Sequence, residues 1–250
     1  MGDVLVLVEH RQGEVREITY EMLGVASQLA GELGGQAVAL LIGSAVDGLA
    51  GNLASYGVKV LAVDHPLLER YNSDKYQKVL SCLIDELKPE LVMIGHTSQG
   101  VDLAPAIAVE KDLPFVPDVI GLQVEGEALK VTRQIYSGKV NAQIAFKPAD
   151  TYLVTVREAV FEALGPGGAG SVEKIDSPLT EELPYRKFGG YIEAEIGEVD
   201  ITQSEVLVAI GRGLREDKNL PLIEELAKVI KGDICGSRAA TDAGWLTHDR

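Results

Sequence analysis

The sequence is short of most features that would give a chemistry away. It has two cysteines in 250 residues, Cys82 and Cys235, isolated and outside any C-x-x-C spacing. That excludes a disulfide framework and a cysteine zinc site, and it points to a reducing, cytoplasmic setting. Basic residues are few: 23 Lys and Arg stand against 38 Asp and Glu, a formal net charge of −15. A surface of that sign repels phosphate backbones, which argues against nucleic acid as a partner. No apolar run reaches the length of a membrane span, so membrane insertion is not expected. The amino terminus, Met1 to Glu9, has no basic n-region and is bounded by acids, and is read as a first strand rather than a signal peptide. There is no G-x-G-x-x-G and no P-loop. No Ser-His-Asp set, carboxylate pair or metal cluster can be assembled, because His10, His65, His96 and His248 lie far from any nucleophile pattern.

What is present is alternation of aliphatic runs with amphipathic stretches. With 46% hydrophobic residues, the chain can bury a sizeable core in one large or two modest domains. Val4 to Val8 is a nearly continuous aliphatic run, the pattern of a parallel strand covered on both faces. Thr19 to Leu33 carries Met22, Leu23, Ala26, Leu29 and Leu33 at helical spacing and stops at Gly34-Gly35. Strands over Ala37–Ile42 and Val58–Val63 flank a short helix over Leu49–Ser55. A helix over Asp74–Leu87, which includes Cys82 in packing or partial exposure without chemistry, ends at Pro89 and leads into a strand over Leu91–Ile94. This order predicts parallel crossovers.

Gly95 to Gly100 is expected to be a polar loop where α/β domains often hold nucleotides, with His96 as either an acid or base or a structural hydrogen-bonding residue. A helix over Asp102–Glu110 follows, and Pro114 and Pro117 bracket a turn. Val119–Val124, Leu129–Tyr136, Ala142–Phe146 and Tyr152–Val156 then succeed one another as strands without helices between, predicting antiparallel hairpins appended to the parallel sheet. Arg133 and Lys139 flank Tyr136, where they either read an anionic patch or pair with acids across the strands. Leu164 to Ser171 and Pro178 to Gly190 are turn-rich and are read as linker. Ile192, Ala194 and Ile196 alternate with acids as a half-exposed strand. The expected division is a first domain over 1–200 with the linker at its end, and a second over 201–250.

The chemistry concentrates in the second part. Val206 to Ile210 is a short buried strand that stops at Gly211-Arg212-Gly213-Leu214, placing a guanidinium at the carboxyl end of a strand. Asn219 to Ile230 forms a helix through Leu222, Ile223, Leu226, Val229 and Ile230, closed by Gly232. A second strand at Ile234 then opens into Gly236-Ser237-Arg238, with Ser237 as helix N-cap. Turns following neighbouring parallel strands would direct Arg212 and Arg238 at one crevice, suited to a phosphate or an electron-rich ring. The same glycine and serine pattern also ends strands in α/β proteins that bind nothing there.

These residues carry a family resemblance. Gly211 to Leu214, Leu222 to Ile230 and Gly236 to Trp245 resemble the start of the FAD-binding domain of the electron-transfer flavoprotein alpha subunit. Gly95 to Pro105 and Arg133 to Lys139 resemble segments of that family's first domain, so the similarity runs along nearly the whole chain. The resemblance implies an α/β fold: a Rossmann-like N-terminal domain with appended antiparallel strands, followed by the first half of a second α/β FAD-binding domain. The family's later Gln-x-Gly-Gln-Thr-Gly and Ser-Gly-x-x-Gln-His segments have no counterpart before Arg250, so the chain is expected to be truncated within that domain. The resemblance also implies that Arg212 and Ser237 contact FAD and that Arg238 lies near the isoalloxazine, where a cation stabilises reduced, anionic flavin. It further implies a heterodimer with an electron-transfer flavoprotein beta subunit. Electrons would come from primary dehydrogenases, such as the acyl-CoA dehydrogenases of fatty acid β-oxidation, and pass to a quinone-linked oxidoreductase. The expectation is an electron carrier and not an enzyme, its chemistry lodged in the cofactor. Two alternatives remain: a nucleotide-binding α/β module without flavin, using the Gly95 to Gly100 loop, and an assembly scaffold without ligand.

Overall fold

The structure is a computed structural model and describes residues 2–126, 128–183, 185–190, 201 and 204–247. It divides into two compact units, Met1–Phe188 and Gly189–Arg250. The half-exposed strand expected around Ile192 to Ile196 lies outside the described residues.

The first unit runs β1 (Val4–Leu7), β2 (His10–Arg11), β3 (Glu14–Val15), α1 (Glu17–Leu33), β4 (Ala37–Gly43), α2 (Asp47–Ala54), β5 (Lys59–Asp64), α3 (Ser73–Leu87), β6 (Leu91–Gly95) and α4 (Ser98–Lys111). It continues through β7 (Phe115–Glu125), β8 (Ala128–Ile135), β9 (Val140–Ala145), β10 (Tyr152–Val156) and β11 (Ser171–Lys174). All but the β2–β3 hairpin join one nine-stranded sheet in the order β11-β5-β4-β1-β6-β10-β7-β8-β9. Strands β11 through β7 are parallel, and β8 and β9 are antiparallel additions.

Strand periodicity explains the layering. Val4 and Val6 of β1 pack with Met22, Ala26 and Leu53 of α1 and α2 on one face, while Leu5 and Leu7 pack with Val79, Leu83 and Leu103 of α3 and α4 on the other. Helix ends follow local chemistry. Gly34, at φ 71°, closes α1 with its N–H on the Ala30 carbonyl, and the Asn72 side chain accepts from Asp74 and Lys75 at the start of α3. Glu21, buried on α1, accepts hydrogen bonds from the backbone N–H groups of Ala159, Val160 and Phe161 and so pins the chain leaving β10.

Four expectations change. Tyr152–Val156 is not the last arm of a hairpin series; it inserts in parallel between β6 and β7, with Leu153 opposite both Val92 and Phe115. Leu153, Val154 and Val156 are all buried, as a strand covered on both faces requires. The glycine-rich segment ending at Ser171 is not a free linker. Gly167 and Gly168 donate to the Ser55 carbonyl and Gly170 to that of Ala54, and Ser171–Lys174 forms the sheet edge beside β5. Its glycines serve close approach, since a Cβ on Gly168 would lie 2.3 Å from the Gly57 Cα. Finally, only His96 and Thr97 separate β6 from α4, which starts before Asp102. Thr97 is the N-cap, accepting from Gly100 N–H, so half of the expected loop, Ser98 to Gly100, is helix. The turn expected between Pro114 and Pro117 is likewise absorbed into β7.

The second unit contains β12 (Leu207–Ile210), α5 (Leu220–Ile230), β13 (Asp233–Gly236) and α6 (Arg238–Asp242), with 3-10 turns at Arg212–Leu214 and Asp217–Asn219. β12 and β13 form a parallel pair. Its buried core is Ile210, Ala227, Ile234 and Ala240, flanked by Val208, Leu220, Ile223 and Trp245.

Candidate functional site

The two basic turns of the second unit open at the same end of the same small sheet. Ile210, the last residue of β12, is the register partner of Gly236, the last of β13. Ser237 N–H donates to the Ile210 carbonyl at 2.9 Å, binding the second turn to the first. A Cβ on Gly211 would stand 3.4 Å from the Ser237 Oγ, so the absence of a side chain there leaves the hydroxyl open. Gly236 is required for packing, because its Cβ would meet Leu246 at 2.8 Å and Ala240 at 3.3 Å.

Arg212 begins the 3-10 turn and, among the described residues, has no ion-pair partner. Ser237 occupies the expected N-cap position, yet its side chain makes no cap hydrogen bond, which leaves the hydroxyl available. Arg238 opens α6 with its side chain 93% exposed and a loose 3.6 Å contact to Asp242. The structure thus brings the backbones of Arg212, Ser237 and Arg238 to one sheet end. The donor set, two permanently charged guanidinium groups and a hydroxyl beside a glycine backbone, fits a group that is anionic or becomes so, such as a diphosphate or a reduced flavin ring.

The corresponding position in the first unit is closed. Between the carboxyl ends of β1 and β6, where the sheet order reverses and α/β proteins hold nucleotides, the hollow lined by Glu9, Tyr71, Gly95, Gln99 and Gly100 measures about 10 Å³. That is room for a single water at most. Glu9 Oε2 accepts from the Thr97 hydroxyl at 2.7 Å. Burial raises the Glu9 pKa against the opposing effect of that hydrogen bond. Gly100 sits against β6 so tightly that a Cβ would fall 1.8 Å from the Gly95 carbonyl oxygen.

His96 takes the structural role: its Nδ1 is 2.8 Å from the Thr155 hydroxyl, and its Nε2 is 3.9 Å from Asp118. That contact belongs to a cluster no local pattern announced. Arg157 donates through Nε and Nη2 to the two Asp118 carboxylate oxygens at 2.8 and 2.6 Å, and through Nη1 to Gln134 Oε1 at 2.6 Å. The Arg157 fork holds the Asp118 carboxyl below its ordinary pKa against the opposing effect of burial. Only the unusual φ of 60° at Asp118, next to a register shift in β7, marks the place in the backbone. Neither feature is visible in a linear pattern.

Comparison with known sequences settles the class. The sequence model described as "Electron transfer flavoprotein domain" matches residues 4–180, and that described as "Electron transfer flavoprotein FAD-binding domain" matches residues 200–250. The chain belongs to the electron transfer flavoprotein alpha-subunit family. It is 37% identical over 249 residues to "Protein FixB" of Clostridium saccharobutylicum, covering 98% of this chain and 74% of that protein. It is 35% identical to "Electron transfer flavoprotein subunit alpha" of Clostridium acetobutylicum, covering 98% of this chain and 75% of the relative. The subunit LctC of the "Lactate dehydrogenase (NAD(+),ferredoxin)" of Acetobacterium woodii is 31% identical, over 97% of this chain and 59% of that protein. As a member of this flavin-binding family, the chain is an electron-transfer protein and not a catalytic enzyme, and its family works with beta subunits and dehydrogenases. No described helix is long and apolar enough to cross a membrane.

Proposed function

We propose that the chain is the alpha subunit of a heterodimeric electron-transfer flavoprotein whose flavin is FAD, held in part by Arg212, Ser237 and Arg238. The observation that carries this reading is the shared register end of β12 and β13, from which both basic turns open. FAD, when bound, accepts electrons from a donor protein and returns them to an acceptor. The chain's own residues supply position and charge. The Arg212 fork and the Ser237 hydroxyl hold anionic and polar groups of the cofactor, and the exposed Arg238 cation favours negative charge on it. The donors are primary dehydrogenases, acyl-CoA dehydrogenases among them, and the acceptor is a quinone-linked oxidoreductase; the setting is cytoplasmic. LctC belongs by its name to a lactate dehydrogenase acting with NAD(+) and ferredoxin, so acyl-CoA and lactate dehydrogenases are the donors to compare first.

The test is to purify the chain together with its beta subunit and record the visible spectrum. Flavin absorbance that is lost on substituting Arg212 supports the reading; a colourless complex overturns it. In the flavin-loaded complex, Arg238→Ala is expected to lower the flavin midpoint potential while leaving the fold intact, and an unchanged potential removes the role assigned to that cation. Nucleotide binding in the first unit has little to support it, because Glu9 already places a carboxylate at the start of α4 where a phosphate would have to sit.

A further inference from the structure

The last stretch of the first unit, residues 175–188, runs from β11 past α3 to α4 and is held down in two different ways. Its first part is held by burial. Ile175 N–H donates to the Ala62 carbonyl at 2.9 Å, and Leu179, 2% exposed, sits in the core that α3 and α4 share. Its last part is held by charge. Glu182 pairs with Lys75 of α3 at 2.6 Å, and Arg186 Nη1 donates to both Asp102 oxygens of α4 at 3.2 Å and to the Ser73 hydroxyl. The Arg70 guanidinium lies 5.6 Å from the Phe188 ring centroid. Among the described residues, the backbone of 180–188 makes no hydrogen bond to other backbone, and the Arg186 carbonyl accepts from the Asn72 side chain at 3.1 Å.

Salt reaches the charged contacts unequally. The Lys75 side chain is 9% exposed and its ammonium also donates to the Leu67 carbonyl, so the Glu182 pair is shielded. Arg186 and Asp102 are 56% and 41% exposed, a pair that dissolved ions screen. Arg186 also stands near the amino ends of α3 and α4, the positive ends of their dipoles, and is tolerated there because Asp74 and Asp102 face it. The clasp is not fully closed. Asp74 Oδ2 is shut off from solvent without a hydrogen-bond partner, and Arg186 Nε lies 3.7 Å from it, beyond hydrogen-bonding reach. An unmet buried carboxylate oxygen is costly, which favours a tighter clasp, while screening of the exposed pair favours release. Glu182 and Arg186 fall between residues 4–180 and 200–250, the segments matched to the family, so membership of the family does not account for them.

We infer that residues 182–188 are a charge-held strap with two states. With Arg186 clasped by Asp74 and Asp102, the chain leaves the first unit at Phe188; with the clasp released, it leaves at Leu179. Release adds residues 180–188, nine in all, to the chain that joins the two units. Tether length sets the effective concentration of whatever the second unit carries at a partner seated on the first. In the function proposed above the cargo is the flavin, and that consequence rests on that reading, whereas the strap itself does not.

The experiment follows cleavage of the full chain after Lys187 by lysyl endopeptidase at about 10 mM and about 1 M sodium chloride, each rate divided by that of an unstructured lysyl peptide in the same buffer. A protease needs a detached length of chain, so the rate reports the open population. Wild type, Arg186→Gln, Asp102→Asn and the double variant are compared, with thermal unfolding to show that the first unit stays folded. Lys174→Gln, which loses the exposed Asp47 pair just before the strap, is the control. At low salt each single clasp variant should be cut about three- to tenfold faster than the wild type, and the double variant no faster than either. At high salt the wild type should rise to meet them, while the variants change little. Lys174→Gln should be cut as the wild type is. A wild-type rate that salt does not alter, or clasp variants cut at the wild-type rate, overturns the inference. Single effects that add in the double variant would show that Arg186 and Asp102 act separately, and would overturn the clasp. A colourless complex with the beta subunit removes the proposed function and leaves the cleavage result standing.

Discussion

The two units use the same local vocabulary and reach very different degrees of burial. In the first, β1 and β6 are buried along their whole length, with helices on both faces of the sheet. In the second, β12 buries only its last residue, Ile210, and α5 leaves Leu222, Leu226 and Val229 at 68%, 48% and 74% exposure. α5 is as regular an amphipathic pattern as α3, so the difference lies outside the helix itself. A helix stripe is buried only by what faces it, and among the described residues α5 faces a two-stranded sheet while α3 faces a nine-stranded one. Burial is a property of layers, whereas periodicity is a property of segments.

Protection from solvent should show the largest contrast. Backbone amides of β1, β4 and β6 should exchange slowest in the chain, those of β12, β13 and α5 orders of magnitude faster, and limited proteolysis should cut within residues 204–247 before it cuts the first unit. Proteolysis that spares the second unit while opening the first would break the comparison.

A smaller effect sharpens it. Leu40→Ala, at a position with 0% exposure, is expected to cost about 3 kcal/mol of first-unit stability in denaturant unfolding. Val229→Ala on α5, 74% exposed, should change stability by less than about 0.5 kcal/mol. Equal costs at the two positions would mean that α5 is covered in solution.

The smallest effect is the pH dependence of the first unit. Asp118 has its folded pKa lowered below the ordinary 3.8 by the Arg157 hydrogen bonds, so its contribution is complete above that value and is lost as pH falls through the folded pKa. Glu9 behaves in the opposite sense. Burial raises its pKa above the ordinary 4.5, so its contribution is complete below that value and is lost as pH rises through the folded pKa. Denaturant midpoints followed between pH 3 and pH 7 should therefore show Asp118→Asn losing its penalty only in acid, and Glu9→Gln slightly raising stability at neutral pH. A Glu9→Gln protein that is markedly weaker at neutral pH would show that the Thr97 hydrogen bond outweighs burial.

Much of this protein is written in its linear pattern. The strands at Val4, Ala37, Lys59 and Leu91, the helices between them and the two basic turns at Arg212 and Arg238 follow from hydrophobic period, glycine stops and capping residues, because those signals act within a few residues of themselves. The family motifs around Gly211 and Gly236 are equally local. Tertiary structure decided the rest. It moved Tyr152–Val156 out of the hairpin series into the parallel core, turned a glycine-rich segment into the seat of edge strand β11, and filled the switch point with Glu9. It also joined Asp118 of β7, Gln134 of β8 and Arg157 just after β10, and left the Arg133 Nε without a hydrogen-bond partner. Each of these outcomes depends on which distant backbone lies alongside, and a strand's neighbours are set by how the whole sheet closes its core, a choice that no window of consecutive residues contains.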